Sequence, residues 1–325
     1  MQNRRTTLKT LAAGGLAMAT SSSFAQSDDK APITILVGAA SSVDFTARLV
    51  ADHLREALGR PVVVSSKLGA GGRVALGELK RAAPDGRTLM LSTSSLFAIY
   101  PHIYTQLDYD PVADFTPIAG ISWFDLGLAT GPMTNAGNLR ELIGWSRDRG
   151  QAAVYGAAPG AGSSSHFAGI ALSIAAGVPM NAVHYKDSGV GIIDLSSGRL
   201  PMLITGTSPL VPMHKSGKIK LVATSGAQRS PLVPDVPTMK EAGLDVVIEN
   251  ATGLFAPAGF PRDQAARIHA ALQPMFGNSE AKQKLDGQGM TLLPMDGGQL
   301  AEYLARERRK FGELARASGY KPQSL

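Results

Sequence analysis

The sequence contains no cysteine among its 325 residues, and only 6% of its residues are aromatic. The absence of cysteine excludes disulfides, thiol catalysis, cysteine-ligated zinc or iron–sulfur sites and a lipid attached to an N-terminal cysteine. Charged residues are also sparse, at 18%, so the chain is not of the highly charged type that fails to fold. Chemistry at any site must therefore come from hydroxyls, carboxylates, imidazoles or backbone amides.

Apolar residues are plentiful, and so are the residues that make turns. Hydrophobic residues make up 44% of the chain, which also has 36 glycines and 20 prolines. A chain of this length and apolar content can bury the core of one large domain or of two ordinary ones. Beyond the N-terminal segment, no run reaches the roughly 18 uninterrupted apolar residues of a membrane span. We therefore expect a globular protein with two lobes.

The first 25 residues have the features of an export signal. Asn3–Lys9 is basic, Leu11–Ala19 is a short apolar run rich in alanine and glycine, and Ser23–Ala25 offers a cleavage position. The paired arginines fit either the twin-arginine or the general secretory route, and both stay open. Removing residues 1–25 takes away three basic residues and no acid, so the formal net charge falls from +6 to +3. We expect cleavage after about Ala25 and a mature protein outside the cytoplasm.

The rest of the sequence alternates short apolar runs with amphipathic segments. Ile33–Val37 predicts a strand, Phe45–Leu58 has apolar residues at helical spacing, and Val62–Val64 begins a second strand. This order of strand, helix and strand favours a parallel sheet covered by helices. We therefore predict an α/β fold with two lobes, each a mainly parallel sheet flanked by helices, and a ligand cleft between them.

Small and hydroxyl-bearing residues cluster where a predicted strand gives way to a helix. The residues that we single out are Ala40, Ser41, Ser42 and Asp44 in one loop and Ser163, Ser164, Ser165 and His166 in another. The first-turn amides of a helix are free donors at the positive end of the helix dipole, so both loops suit a carboxylate or a phosphate. Any one such residue also has the simpler role of a helix N-cap. Two matching loops in two lobes favour a ligand held between them.

Polar residues at three other predicted strand ends are further candidates. These are Ser94, Lys186, Asp187 and Thr205. The alternatives are a capped turn at Ser94 and a surface ion pair between Lys186 and Asp187. The six histidines show no metal-ligand spacing, so we predict no metal site.

Enzyme motifs are mostly absent from the sequence. Gly69–Gly72 follows a strand and opens a helix as a dinucleotide fingerprint does, but Val74 occupies the position of the third glycine. The basic run Arg306–Lys310 is interleaved with the apolar residues of an amphipathic helix, which does not indicate nucleic-acid binding. We predict no cofactor and no nucleic-acid partner, and neither an NTPase nor a typical hydrolase is supported. An exported α/β oxidoreductase with a dinucleotide cofactor remains the alternative.

Short sequence blocks follow one another in a specific order along the mature chain. They include Leu58–Val64, Gly69–Gly72, Ala83–Leu89, Leu107–Ile118, Ser164–His166, Tyr185–Lys186, Arg229–Thr238 and Phe255–Gly259. This ordered set resembles the Bug family of extracytoplasmic solute receptors. The resemblance implies a two-lobed, type II-like periplasmic binding protein that delivers a small mono- or dicarboxylate to a tripartite tricarboxylate transporter. It also implies no catalysis, and that residues 38–44 and 160–166 hold the ligand carboxylate. An aromatic ligand is one further option if Trp123, Phe124 or Tyr155 lines the cleft.

The resemblance also supports a division of the chain. Residues 26–128 and 250–325 are expected to form the first lobe and residues 129–249 the second, with crossings at the apolar strands Leu126–Thr130 and Val247–Ala251. The expected partners are a small carboxylate and the inner-membrane transporter subunits, and the receptor itself is expected to be a monomer. A liganded receptor that signals to a membrane sensor is compatible with the same residues.

The candidate loops depart from the family pattern. Ala40-Ser41-Ser42 stands where the family usually has Pro-Gly-Gly, Asp187 follows Lys186 where glycine is usual, and Thr205-Gly206 replaces an Asp-Asn pair. Hydroxyl side chains in place of glycines change the volume of a cleft and add hydrogen-bond donors. The resemblance therefore leaves room for a ligand that is unusual for the family.

Overall fold

The computed structural model describes residues 31–39 and 42–324. The predicted export segment and the candidates Ala40 and Ser41 lie outside the described residues. The strands are β1 (Ile33–Val37), β2 (Val62–Ser66), β3 (Thr88–Thr93), β4 (Phe115–Thr130), β5 (Val154–Ala157), β6 (Asn181–His184), β7 (Met202–Gly206), β8 (Lys220–Thr224), β9 (Glu249–Pro257) and β10 (Thr291–Asp296). The helices are α1 (Ser42–Leu58), α2 (Arg73–Arg81), α3 (Ser95–Ala98), α4 (Tyr100–Ile103), α5 (Leu139–Arg149), α6 (Ser164–Ala176), α7 (Ser188–Ser196), α8 (Thr207–Lys215), α9 (Arg262–Phe276), α10 (Ser279–Asp286) and α11 (Gly297–Ala317).

Helix α1 shows how the sequence pattern produces a packed layer. Val43, Ala47, Val50 and Leu54 are buried, and their spacing of three or four residues places them on one face of the helix. That face belongs to the same apolar core as the buried side chains of β1, and α9 packs beside α1 over this core. The amphipathic spacing read from the sequence therefore matches the observed helix.

The strands form one mixed sheet. Strand β1 pairs in parallel with β2 and β3, and β5 pairs in parallel with β6 and β7. Strand β9 lies antiparallel between β3 and β4, and β4 is also antiparallel to β7, β8 and β10. The predicted α/β class is confirmed, but the expectation of mainly parallel sheets needs correction. The chain crosses from the first half of the sheet to the second along β4 and crosses back along β9. Because these two strands are neighbours, they pair in opposite directions.

Strand β4 joins the two parts of the sheet. Its residues 115–125 pair with β9, whereas its residues 126–130 pair with β7 and β8. The sequence predicted only the second part as a strand. Pro117 and Gly120 weaken the strand pattern in the first part, and the register of the β4–β9 pair shifts beside each of them.

The C-terminal helices pack mainly beside the first strands. Helix α9 packs against α1, β4 and β10, and α11 packs against β4, α3 and α4 and also touches α6. We propose that the junction of the two lobes lies between Asp125 and Leu126 in β4 and at the start of β9. The lobe ranges expected from the sequence, residues 26–128 with 250–325 and residues 129–249, stay a prediction. None of the helices in the described part of the chain combines the length and apolar character needed to cross a membrane.

Candidate functional site

A cavity of about 410 Å³ lies between the two parts of the sheet. The loops after β1 and β3 and the α2–α4 region contribute Gly38, Ala39, Gly71, Thr93, Ser95, Tyr100, Ile103 and Tyr104. The loop before α6 and the end of β7 contribute Ala158, Pro159, Ala161, Gly162, Ser163, Ser164, Ser165 and Gly206. The crossing strands β4 and β9 contribute Phe124, Leu126 and Asn250. The cavity is therefore built from both candidate loops and from the strands that connect the two parts of the sheet.

The three consecutive serines at the start of α6 have different roles. Ser163 is the N-cap: its Oγ accepts a hydrogen bond from the His166 amide at 3.2 Å and donates one to the Gly160 carbonyl at 2.8 Å. Ser165 Oγ donates to the Ala158 carbonyl at 2.8 Å. The Ser164 hydroxyl has no hydrogen-bond partner in the described part of the chain and lines the cavity. Ser163 and Ser165 thus fix the loop, and Ser164 offers its hydroxyl to the cavity.

His166 also holds the loop before α6 in place, through two hydrogen bonds. Its Nδ1 accepts a hydrogen bond from the Gly162 amide at 3.1 Å, and its carbonyl accepts one from the Tyr155 hydroxyl at 3.0 Å. Burial, together with the nearby His184 ring, lowers the pKa of His166 to about 4. The imidazole is therefore neutral at neutral pH and supplies shape to the site, not positive charge.

The first candidate loop is only partly described. Gly38 and Ala39 line the cavity, and Ser42 lines a neighbouring cavity of about 340 Å³. Asp44 lines neither of these two cavities; its carboxylate accepts hydrogen bonds from Arg48 Nε at 2.8 Å and Ser66 Oγ at 2.9 Å. The hydrogen bond from Arg48 is the main reason why the pKa of Asp44 is lowered. The Asp44 carboxylate is therefore ionised and already hydrogen-bonded to side chains of α1 and β2.

The hydroxyl run at the end of β3 presents Thr93 and Ser95 to the cavity. The predicted candidate Ser94 instead accepts a hydrogen bond from the Ala251 amide at 3.2 Å and does not line the cavity. This bond ties the end of β3 to β9. The sequence could identify this run of hydroxyl-bearing residues. Which of them line the cavity depends on the pairing of β3 with β9, a long-range contact.

Asn250 is a cavity residue that the sequence analysis did not single out. It is 2% exposed, and its Oδ1 accepts a hydrogen bond from Ser95 Oγ at 3.4 Å. Its Nδ2 has no hydrogen-bond partner in the described part of the chain. An unpaired buried amide donor is costly unless a ligand or water satisfies it. The only hint in the sequence was a polar pair, Glu249-Asn250, within a mostly apolar crossing strand.

The candidates at the other strand ends lie outside the lining of the 410 Å³ cavity. Lys186 is exposed, and Asp187 is the N-cap of α7, where it accepts a hydrogen bond from the Val190 amide at 3.1 Å. The Thr205 hydroxyl is 2.6 Å from that of Ser188. The structure therefore gives Asp187 a capping role and pairs Thr205 with a neighbouring hydroxyl.

The glycine-rich segment before α2 forms one wall of the cavity. A Cβ atom at Gly38 would lie 2.5 Å from Gly72 Cα, so the two loops approach as closely as their backbones allow. The Tyr100 hydroxyl donates a hydrogen bond to the Gly71 carbonyl at 3.0 Å. Close packing at the cavity wall accounts for these glycines without a dinucleotide.

Side-chain cations are missing from the cavity lining. Within the described residues, no lysine or arginine lines the 410 Å³ cavity or the neighbouring 340 Å³ cavity. Phe124 lines both, whereas Trp123 and Tyr155 are buried and are not part of either lining. An anion in this cleft must therefore be held by amides and hydroxyls, beside the aromatic rings of Phe124, Tyr100 and Tyr104.

Comparison with known proteins identifies the family. Residues 46–320 match the family model described as tripartite tricarboxylate transporter family receptor. A relative from Bordetella bronchiseptica is 30% identical over 309 residues, which cover 94% of this chain and 91% of that protein. The protein BugT of Bordetella pertussis is 27% identical over 282 residues, which cover 86% of each chain.

Solved structures agree with this match. The R. palustris protein Rpa4515 with adipate is 25% identical, with a TM-score of 0.78 over 90% of this chain and 98% of that one. MatC from Rhodopseudomonas palustris with bound malate is 27% identical, with a TM-score of 0.71 over 87% and 98%. The periplasmic binding protein BugD is 26% identical, with a TM-score of 0.73 over 90% and 99%. The resemblance to the Bug family is thus confirmed, and the chain belongs to the tripartite tricarboxylate transporter family of receptors.

Proposed function

We propose that this protein is a periplasmic receptor that binds a small organic acid in the 410 Å³ cavity and delivers it, chemically unchanged, to a tripartite membrane transporter. One observation carries the proposal: the free N-terminal end of α6 lines the same cavity as Asn250, whose Nδ2 is unpartnered among the described residues. Both are hydrogen-bond donors, and no lysine or arginine among the described residues lines that cavity. Donors of this kind suit a carboxylate.

The start of α6 provides the anion-binding end. Since the N-cap Ser163 already accepts the His166 amide, the amides of Ser164 and Ser165 are the first-turn donors left for a ligand. The Ser164 hydroxyl adds a third donor at the same place. The carboxylate would lie against these groups, and Asn250 Nδ2 would donate from the crossing strand.

Adipate and malate in the related structures support a carboxylate as the ligand class. Family membership supports delivery to a transporter in the inner membrane. The export features of residues 1–25 support a periplasmic location, with cleavage after about Ala25.

A thermal-shift screen against organic acids tests the proposed function. A ligand that binds only the folded state raises the apparent melting temperature in proportion to the logarithm of its concentration. We expect at least one small carboxylate to raise the melting temperature, and its methyl ester or amide to have no effect. A screen in which only uncharged compounds shift the melting temperature would contradict the proposal.

Replacing Ser164 by alanine should weaken binding of the best acid by about 10- to 100-fold, because a hydrogen bond to a charged group is lost. The melting temperature of the unliganded protein should stay the same, since this hydroxyl has no partner among the described residues. Calorimetric titration and melting curves measure the two effects separately.

Ser165→Ala is the matched control for that experiment. It removes the hydrogen bond to the Ala158 carbonyl, so we expect a loss of about 1 kcal/mol in stability and a small change in affinity. If Ser164→Ala binds the acid within a factor of two of the parent protein, the Ser164 hydroxyl is not part of the carboxylate site.

A further inference from the structure

The neighbouring 340 Å³ cavity continues the cleft beyond the proposed carboxylate site. It shares Phe124 and Gly206 with the 410 Å³ cavity. Its other lining residues are Ser42, Asp125, Ser188, Thr207, Ser208, Pro209, Gln288, Gly289 and Met290. A ligand anchored at the start of α6 can therefore extend past Phe124 into a region rich in hydroxyls.

Asp125 is the acidic residue in this lining. It is 2% exposed, and its Oδ1 accepts a hydrogen bond from Ser230 Oγ at 3.3 Å. Its Oδ2 has no hydrogen-bond partner in the described part of the chain. A buried carboxylate oxygen without a donor is unfavourable, and such groups are usually paired when the protein performs its task.

The surroundings of Asp125 also lack a compensating cation. Within the part of the chain that the structure describes, no salt bridge includes Asp125 and no lysine or arginine lines either cavity. A second carboxylate on the ligand would thus add negative charge near Asp125 with nothing to offset it. A hydroxyl or ammonium group would instead supply a hydrogen-bond donor to the Asp125 carboxylate.

We propose that Asp125 selects a monocarboxylate whose far end carries a hydrogen-bond donor, either a hydroxyl or an ammonium group, and selects against a second carboxylate. The proposal rests on the proposed function, because it requires the first carboxylate to lie at the start of α6. The two ends of the cleft then have opposite preferences. Amide donors at α6 bind the ligand carboxylate, and the Asp125 carboxylate accepts a hydrogen bond from the far end of the ligand. Specificity of this kind combines an attractive contact for the right ligand with repulsion of the wrong one.

Matched acids of equal length test this selectivity. The probes are hexanoate, 6-hydroxyhexanoate, 6-aminohexanoate and adipate, with the corresponding sets of four and eight carbons, titrated calorimetrically into the full protein at neutral pH. In the length set that binds best, we expect the hydroxy or amino acid to bind at least about 10-fold more tightly than the diacid. The hydroxy and amino members show whether the preferred donor is neutral or cationic.

The variant Asp125→Asn should reduce this preference. We expect the affinity for the diacid to rise by about 10-fold and the affinity for the amino acid to fall by at least as much, because the charge is removed while the shape is kept. The control is Asp245→Asn, since the Asp245 side chain is 91% exposed and its charge should not affect the ligand. Melting curves of both variants establish that they fold.

The outcomes separate this inference from the proposed function. If the parent protein binds diacids as tightly as hydroxy and amino acids of the same length, and Asp125→Asn leaves the ratio within two-fold, Asp125 does not select the ligand although the receptor function stands. If plain hexanoate binds as tightly as its hydroxy and amino forms, the far end needs no donor and the inference is equally overturned. If an acid from the thermal-shift screen binds but no linear acid of this panel does, the inference is overturned and the receptor function stands. If no organic acid binds in either experiment, both the inference and the proposed function are wrong.

Discussion

Replacing Asn250 by aspartate is expected to lower the affinity for the best-binding acid at least about 100-fold. The change converts the unpartnered amide donor of the cavity into an acceptor that is charged when ionised. Because no lysine or arginine among the described residues lines the cavity, the new carboxylate would face the ligand carboxylate without compensation. An uncompensated buried charge costs about 3–5 kcal/mol, which corresponds to more than two orders of magnitude in affinity.

Two further variants make this result interpretable. Asn250→Ala removes the donor without adding charge and should weaken binding by about 10-fold. Asn278→Asp makes the same chemical change at the exposed N-cap of α10, where aspartate caps equally well, and should leave affinity unchanged. An Asn250→Asp variant that folds and binds the acid as the parent does would show that the carboxylate lies elsewhere.

Replacing Asp125 by asparagine is expected to stabilise the unliganded protein by about 2 kcal/mol at neutral pH. Burial, helped by the nearby Glu249 carboxylate, raises the pKa of Asp125 from 3.8 to about 6, although hydroxyls of Thr207 and Ser230 oppose the shift. Two pKa units correspond to about 3 kcal/mol, from which the cost of burying an amide is subtracted. A residue retained at this cost is in keeping with a role in ligand selection.

The pH dependence of this effect has a definite sign. The pKa of Asp125 is higher in the folded protein than in the unfolded chain, so its ionised form destabilises the fold above about pH 6. That penalty declines as the pH falls from about 6 towards about 4, and it is gone below about pH 3, where the carboxyl is protonated in both states. Urea unfolding at several pH values should therefore show the advantage of Asp125→Asn at neutral pH, a much smaller advantage near pH 4 and none below about pH 3. A difference that does not change with pH would contradict the assigned cause.

The anion-binding end of the site was predictable because local sequence encodes it. Ser163–Ser165 follow a strand and open a helix, and this placement alone provides free amides at a helix N-terminus. Which serine serves the ligand was not predictable, because Gly160 and Ala158 carbonyls occupy two of the three hydroxyls. Those partners depend on how the loop folds back on itself.

Two residues of the cleft were hidden from sequence reasoning: Asp125 at its far end and Asn250 at its anion-binding end. Asp125 and Asn250 lie on strands that are far apart in the chain, and the antiparallel pairing of β4 with β9 brings them to the same region. Each is one of several polar residues in a mostly buried strand, and such residues are equally typical of structural hydrogen bonds. What distinguishes Asp125 and Asn250 from structural polar residues is that one atom of each side chain has no hydrogen-bond partner among the described residues.

The α/β class could be predicted from the alternation of strand-like and helix-like segments, but the mixed sheet could not. Local patterns predict β1, α1 and β2 because neighbouring elements are joined by short loops. Strand β10 was missed, since it contains Pro294 and pairs with residues of β4 that lie far away in the sequence. Long-range pairing of this kind leaves little trace in any short window.

A crystal structure of the protein with the best-binding acid tests the central claim most directly. We expect the carboxylate oxygens within hydrogen-bond distance, about 2.7–3.2 Å, of the Ser164 amide or hydroxyl and of Asn250 Nδ2. A separate cavity of about 450 Å³ is lined by Lys218 and Lys220 and therefore offers side-chain cations in place of amides. A carboxylate bound there, with the cleft beside α6 unoccupied by ligand, would contradict the account.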